Sequence, residues 1–179
     1  MSLPRLIVPK RHPDGRGWLA ETFNEARLRA LGIDCRFVQD NQSYSQRAGT
    51  LRGMHFQAPP FEQAKLISVL RGRALDVAVD VRRGSPTFGR WVAVTLTSDN
   101  FRQCYVPPGF AHGFCVVSPI AQVEYKCTDL YDRASEIGVA WNDPALAIPW
   151  PVREPILSRR DSRHPTLAQL GDQLPVWHG

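Results

Sequence analysis

The sequence predicts an all-β fold, a jelly roll or barrel, with one short helix near the start and a C-terminal segment that wraps over the strands. Short runs of alternating apolar and polar residues recur along most of the chain. The 15 prolines and 13 glycines are spread between these runs, where they suit many tight connections. In the first half of the chain, only one early segment has the pattern of a helix.

The early helix is predicted over residues 24–32. Asn24 can cap its start through its side chain, and Gly32 can end it in a left-handed conformation. Leu28 and Leu31 lie three residues apart, a spacing that places both side chains on one helical face. The helix is therefore expected to present one apolar face.

Strand signals dominate the rest of the chain. Residues 65–70 and 74–81 are strand-like and flank Arg71-Gly72-Arg73, a candidate tight turn. In 74–81, leucine or valine alternates with alanine or aspartate, which puts the large apolar side chains on one face. After Pro144 the chain becomes proline-rich and irregular, and from about Pro149 it is expected to wrap over the barrel. Further strands are predicted over 90–97, 102–106, 111–117 and 122–127, a turn at 98–100, and a short helix near 166–170.

Length and composition fit one domain that covers residues 1–179. The net charge of +5 comes from basic residues interleaved with acids, which favours solubility or an anionic ligand over nucleic acid. No apolar run reaches the roughly 18 residues of a membrane span, and the start lacks a signal-peptide pattern, so a cytoplasmic protein is expected. The four cysteines form no Cys-x-x-Cys pair, which favours buried free thiols over disulfides.

Two of the five histidines stand in unusual surroundings. His55 lies in a strand-like segment, where its neighbours on the same face are Gly53 and Gln57 rather than large apolar residues. His112 follows a Pro-Pro-Gly turn that leads into a strand, and a functional and a buried structural histidine fit that place equally well. The other three are expected to be solvated, because they lie near the termini or in a polar stretch: His12, His164 and His178.

Nine short motifs, in order over about residues 5–170, resemble those of the dTDP-4-dehydrorhamnose 3,5-epimerase family of the cupin superfamily. One such motif is weak evidence, whereas nine in the family's order are specific. The resemblance implies a cupin-type jelly-roll barrel. It also implies epimerisation of dTDP-4-dehydro-6-deoxy-D-glucose at C3 and C5, in the synthesis of dTDP-L-rhamnose or a related deoxysugar. The motifs are Leu-Arg-Gly-Met-His-Phe-Gln at 51–57, Pro-Pro-Gly-Phe-Ala-His-Gly-Phe at 107–114, and shorter stretches at 14–17 with 21–23, 37–41, 76–80, 84–89, 125–126, 141–144, and 157–158 with Asp161.

The implied reaction requires a base, an acid and a group that stabilises an enolate. A proton on a carbon beside a ketone is feebly acidic, so its removal needs a positioned base and a partner for the enolate oxygen. By resemblance, His55 is the base and Asp161 pairs with it. Lys65 is expected to point at the C4 oxygen, and Tyr125 to deliver a proton to the opposite face. Each residue taken alone also has a purely structural explanation.

By resemblance, a further set of polar residues binds the nucleotide half of the substrate. Arginine forks suit phosphate groups, and a tyrosine can stack on a planar base. In the family, part of this site comes from the partner subunit of a homodimer, so Arg16 and Glu21 are expected to act across the dimer. The residue before Asp161 is usually lysine and here is Arg160, which keeps the charge and changes the geometry. The implied binding residues are Arg16, Glu21, Gln39, Asn41, Arg52, His112, Tyr131, Glu136 and Arg160.

No metal or other cofactor is expected. Metal-binding cupins generally carry His-x-His followed by an acid in their first motif, and Gln57 stands where the second histidine would be. The same departure counts against a 3,4-ketoisomerase. Two alternatives stay open: an epimerase that acts at C3 or C5 only, and a non-catalytic cupin that binds a sugar nucleotide. The joint presence of a base and an acid counts against the second.

Overall fold

The computed structural model describes residues 3–178, in which antiparallel strands form an eight-stranded sheet and a separate hairpin. The hairpin consists of β2 and β3, and it pairs with no other strand among the described residues. The strands are β1 (Arg5–Ile7), β2 (Arg11–Asp14), β3 (Gly17–Ala20), β4 (Gln39–Ser45), β5 (Leu51–Gln57), β6 (Lys65–Asp80), β7 (Trp91–Thr97), β8 (Gln103–Val106), β9 (Phe110–Cys127) and β10 (Glu136–Gly138). The helices are α1 (Glu25–Ala30), α2 (Leu167–Leu170) and two short 3-10 turns at Asp161–Arg163 and Gly171–Gln173.

Two long strands, β6 and β9, connect the two layers of the fold. They pair with each other along most of their length, and the register shifts near the middle of β6. The first half of β6 and the second half of β9 form one layer with β1, β8 and β4. The other halves form the second layer with β7, β5 and β10. This arrangement confirms the predicted jelly roll.

The tight turn predicted at Arg71-Gly72-Arg73 is wrong. The chain continues through it as one strand of 16 residues, and β9 likewise joins the two strands predicted over 111–117 and 122–127. Gly72 has φ of +80°, and a Cβ there would lie 2.1 Å from the carbonyl oxygen of Ile120. Because irregularities at this glycine bend the strand without ending its pairing, the local turn signal marks a bend instead of a hairpin.

The alternation in the second half of β6 serves two cores rather than one. Val77 and Val79 are fully buried on the outer face of the second layer, as predicted for the large apolar residues. Ala74 and Ala78, on the opposite face, are also buried, in a core that lies between the layers. The strand is therefore covered on both sides.

The C-terminal segment covers the outer face of the second layer, which confirms the predicted wrapping. Its buried leucines pack on the valines of β6: Leu146, Leu167, Leu170 and Leu174. The short helix predicted near 166–170 is α2, and the Thr166 side chain caps it in a capping box with Gln169.

The early helix is α1, and it packs on the first layer. Asn24 caps it by accepting a hydrogen bond from the Arg27 backbone N–H, as predicted. Leu28 is buried against Leu66 and Tyr105. Leu31 follows the last helical residue and is 49% exposed, so its expected place on the apolar face is wrong.

All four cysteines are free thiols, as expected; three are buried and Cys35 is half-buried. Among the described residues, no helix has the length and apolar character needed to cross a membrane.

Candidate active site

The candidate site lies between the two layers, where polar side chains interrupt the inner core. Two adjoining cavities of about 290 and 390 Å³ share His55, Lys65 and Tyr125 in their walls. His55 is on β5 of the second layer, whereas Lys65 and Tyr125 are on β6 and β9 of the first. The two layers thus present their functional groups from opposite walls of the cavities.

An irregularity in β5 brings two predicted residues into the same cavity. Regular alternation would send Arg52 and His55 to opposite faces, but the pairing with β9 shifts between them, and both line the cavity. Gly53 permits this, because a Cβ there would lie 2.5 Å from the Cα of Gly113. The Arg52 guanidinium donates hydrogen bonds to the Ser45 hydroxyl and the Tyr44 carbonyl.

His55 and Asp161 form the predicted pair. The Nε2 atom of His55 lies 2.8 Å from Oδ1 of Asp161, which begins a 3-10 turn and lines the smaller cavity. Asp161 is buried, and burial raises the pKa of its carboxyl, but its polar contacts with His164 and His55 outweigh this effect and bring the pKa well below its usual value. Nδ1 of His55 lies 3.6 Å from the Glu136 carboxylate.

The expectation that His164 is solvated is wrong, whereas His12 and His178 are exposed as predicted. The His164 side chain is only 9% exposed, and its Nε2 lies 3.1 Å from Nε2 of His55. Sequence reasoning missed it because the polar residues around it suggested a surface loop. Its spacing of three residues from Asp161 on a turn was the available signal.

The side chains of Lys65 and Tyr125 line the cavity and form no hydrogen bond with a described residue. Burial lowers the pKa of the Lys65 ammonium, although the nearby Cys127, Glu136 and Asp76 partly oppose this effect. Burial also raises the pKa of the Tyr125 phenol. The phenol therefore stays protonated at neutral pH and can act as a proton donor.

His112 lines the same cavity and is held from behind by a buried acid. Its Nε2 lies 2.7 Å from Oδ1 of Asp76, and both side chains are buried. Cross-strand pairing places His112 opposite His55. Asp76 was not predicted as a site residue, because alternation alone gave it no role.

Three predicted binding residues form one polar cluster beside His55. The Glu136 carboxylate accepts a hydrogen bond from the Tyr131 hydroxyl at 2.6 Å and forms a 2.6 Å ion pair with Arg160. Burial raises the pKa of Glu136, but the hydrogen bonds from Tyr131 and Arg160 outweigh it, so this pKa lies below its usual value. Arg160 thus reaches the cavity.

Gln39 and Asn41 also lie in the site, on β4. The Gln39 amide accepts a hydrogen bond from the Tyr131 backbone N–H and donates one to the Asn41 side chain. Both residues line the larger of the two cavities, together with Tyr131.

Arg16 and Glu21 lie outside these cavities. Arg16 is in the turn of the β2–β3 hairpin, with its side chain 91% exposed and paired with Asp14. Glu21 follows β3 and pairs with Arg27 of α1. Within a single chain, therefore, neither Arg16 nor Glu21 lies at the site.

The side-chain amide of Gln57 forms hydrogen bonds with the backbone of nearby loops, and we assign it no role in the reaction. Its buried side chain donates to the carbonyls of Phe61 and Leu130 and accepts from the Asp132 backbone N–H.

The atoms that could hold a metal ion, among residues 3–178, belong to His55, Asp161 and His164 and lie within 4.8 Å of one another. These atoms already contact one another at hydrogen-bonding distances, and the absence of a metal remains a prediction.

Comparisons with known proteins match this chain to one family of sugar-nucleotide epimerases. A family model described as dTDP-4-dehydrorhamnose 3,5-epimerase matches residues 4–169. The dTDP-4-dehydrorhamnose 3,5-epimerase of Shigella flexneri is 47% identical over 162 residues, which cover 89% of each chain. A dTDP-4-dehydrorhamnose 3-epimerase of Streptomyces niveus is 41% identical over 174 residues, 96% of this chain and 84% of that one.

A solved structure with a similar sequence has the same fold as this chain. The dTDP-6-deoxy-D-glucose-3,5-epimerase of Legionella pneumophila, solved in complex with dTDP-4-keto-L-rhamnose, superposes with a TM-score of 0.94 at 47% identity. The match covers 98% of this chain and 94% of the Legionella chain.

Proposed function

Because this chain belongs to the dTDP-4-dehydrorhamnose 3,5-epimerase family, we propose that it inverts C3 and C5 of dTDP-4-dehydro-6-deoxy-D-glucose with His55 as base and Tyr125 as acid. The chain is an epimerase, and its product, dTDP-4-dehydro-L-rhamnose, belongs to dTDP-L-rhamnose synthesis. The observation that carries the residue roles is the opposition of the His55–Asp161 pair to Lys65 and Tyr125 across one cavity.

The base function follows from how His55 is held. Asp161 engages Nε2, so this nitrogen carries the proton and Nδ1 keeps its lone pair for the sugar. When Nδ1 takes a proton from carbon, the imidazolium is stabilised by Asp161 at Nε2 and by the Glu136 carboxylate 3.6 Å from Nδ1. The carboxylates of Asp161 and Glu136 therefore both stabilise the imidazolium form of His55 that exists while the enolate is present.

The other wall supplies the remaining two functions. The Lys65 ammonium stabilises negative charge on the C4 oxygen as the enolate forms, and the burial of this ammonium strengthens the interaction. Tyr125 then donates its proton to the opposite face of the sugar. Although a phenol is a weak acid, an enolate is a stronger base than a phenolate, so the transfer is downhill.

We further propose that the nucleotide site is shared between the subunits of a homodimer in the cytoplasm. Arg52, Arg160, Gln39, Asn41 and Tyr131 line the site from within one chain. The β2–β3 hairpin pairs with no described strand of the main sheet, and although Trp18 contacts Phe101, Trp18 is 52% and Leu19 is 76% exposed. Such an apolar arm fits a partner's surface, and it would carry Arg16 and Glu21 to the partner's phosphates.

Solvent exchange tests the reaction and the role of His55 together. The substrate is incubated with the enzyme in deuterated water, and label at each carbon is followed by NMR. Label and inversion at both C3 and C5 are expected, and a wild-type enzyme that labels neither carbon would be a non-catalytic binder. Label confined to one carbon would instead identify a single-position epimerase. The His55→Asn variant should lose exchange by about 10²–10⁴-fold, whereas His178→Asn, at an exposed histidine, serves as the matched control.

Subunit mixing tests the shared site. The His55→Asn variant lacks the base, and Arg16→Ala is expected to raise KM by removing a phosphate contact. A mixed dimer has one site with an intact His55 and an intact partner Arg16. Mixing equal amounts should therefore restore roughly a quarter of wild-type activity at low substrate concentration. No gain on mixing, or a monomeric mass by light scattering, would refute sharing.

A further inference from the structure

His164 contacts both members of the His55–Asp161 pair. Its Nε2 lies 3.1 Å from His55 Nε2 and 3.4 Å from Asp161 Oδ1. The two imidazole rings are nearly perpendicular, with an interplanar angle of 87° and centroids 5.1 Å apart. The cluster is therefore a His–His–Asp group rather than a simple pair, and the motifs that identify the family assign no role to His164.

The chain makes room for this ring and anchors it. A Cβ at Gly138 would lie 2.1 Å from both Cε1 and Nδ1 of His164, so the ring occupies space that only glycine leaves open. Gly138 is the residue of β10 that pairs with His55. On the C-terminal side, the Pro165 carbonyl accepts a hydrogen bond from Ala140. These contacts hold His164 in one position against the base.

The protons in the cluster can be counted. If His55 acts as a base through Nδ1, its Nε2 carries a hydrogen, which points between Asp161 Oδ1 and His164 Nε2. Nε2 of His164 must then offer a lone pair, so His164 is neutral with its hydrogen on Nδ1. A protonated His164 would direct a second N–H at the same space and would compete with His55 for Asp161.

We propose that His164 is a positioning residue that, together with Asp161, fixes the tautomer and orientation of His55, and that the reaction requires His164 to be neutral. This inference rests on the proposed role of His55 as the base. Protonation of His164 drives the shared hydrogen of His55 towards Nδ1, where it blocks the lone pair that takes the substrate proton. Proton uptake by either histidine therefore stops the reaction.

His164 has its own route to solvent protons. It borders a cavity of about 570 Å³ that neither Lys65 nor Tyr125 lines. The charged groups that face it are His55 on β5 and Asp161 on its own turn, together with those in the cavity wall: Glu136 on β10 and Arg133, Arg159, Arg160 and Arg163. The negative groups favour the imidazolium and the positive groups oppose it.

The test is the pH profile of kcat/KM for His164→Gln. Glutamine can place an acceptor oxygen near the position of Nε2 but does not titrate. The variant should keep plateau activity within about threefold, while the pH at which activity falls by half on the acid side moves down by roughly 0.3–1 unit. In the variant only His55 can take up a blocking proton, so the acid-side limb of the profile moves to lower pH. His178→Gln should leave the profile unchanged.

The possible outcomes separate this inference from the proposed function. If the wild type shows no exchange, the epimerase mechanism fails before His164 is considered. If the wild type is active and the His164→Gln profile superimposes on it, the inference is wrong and the function stands. A loss of activity equal at every pH would indicate a merely structural role and would also overturn the inference.

A measurement on the wild type covers the case in which the variant does not fold. In protein labelled with ¹⁵N at histidine, the imidazole nitrogens report their protonation by NMR. At neutral pH the proposal requires a hydrogen on Nε2 of His55 and on Nδ1 of His164. The finding of His164 protonated at Nε2 under conditions of full activity would refute it.

Discussion

The role of Tyr125 can be separated from packing by the removal of one oxygen atom. In the Tyr125→Phe variant the ring keeps its contacts with the inner core, and the hydroxyl forms no hydrogen bond with a described residue. Its loss should therefore change the free energy of unfolding by no more than about 0.5 kcal/mol. If the hydroxyl is the acid, inversion should fall by about 10²–10⁴-fold, equivalent to roughly 2.7–5.4 kcal/mol of barrier.

Exchange and inversion should respond differently to this change. His55 still removes the proton, and Lys65 still stabilises the enolate, so deuterium should still enter the sugar. His55 then returns a solvent-derived proton to the face from which it came, and the configuration is retained. A single NMR time course in deuterated water measures both rates.

Two outcomes would contradict this reasoning. Inversion at the wild-type rate would assign the acid to another residue, and Tyr131, whose hydroxyl bonds Glu136, would be tested first. Exchange and inversion that fall together with a lower melting temperature would indicate a packing role. The Tyr44→Phe variant, at an exposed tyrosine, controls for the general effect of removing a hydroxyl.

Three further predictions concern the charges of the site. Lys65→Met removes a buried ammonium whose pKa is lowered by burial, so thermal stability should hold or rise while kcat falls about 10²–10³-fold; activity within threefold of wild type would contradict the enolate role. Asp161 has a pKa below its ordinary value of 3.8, so its stabilising contribution is complete above that pH and is lost as the pH falls through the lower, folded-state pKa. In urea unfolding, the advantage of wild type over Asp161→Asn should therefore shrink from about pH 5 to about pH 3, and a constant difference would be evidence against the hydrogen-bonded carboxylate. Exhaustive chelation should leave activity unchanged, and loss of activity that one divalent ion restores would show that a metal is needed.

Much of the fold followed from local patterns. The cap at Asn24 and the strands around 91–97 and 103–106 were predictable, because capping and alternation depend on neighbouring residues. The turn at Arg71–Arg73 was not, since a bent strand and a hairpin have the same local signal of a glycine between polar residues. Only the partner strand, which continues past Gly72, decides between them.

The residue types needed for the proposed reaction were predicted from the sequence alone, because the motifs around His55, Tyr125 and Asp161 stand in a specific order and Lys65 follows His55 by ten residues. Their opposition across one cavity was decided only by the tertiary structure, since it depends on two long strands that cross between the layers. The same holds for His164: its neighbours in sequence are polar, but its neighbours in space are His55 and Asp161. Local composition describes what surrounds a residue along the chain, whereas burial and proton sharing depend on which distant segments fold against it.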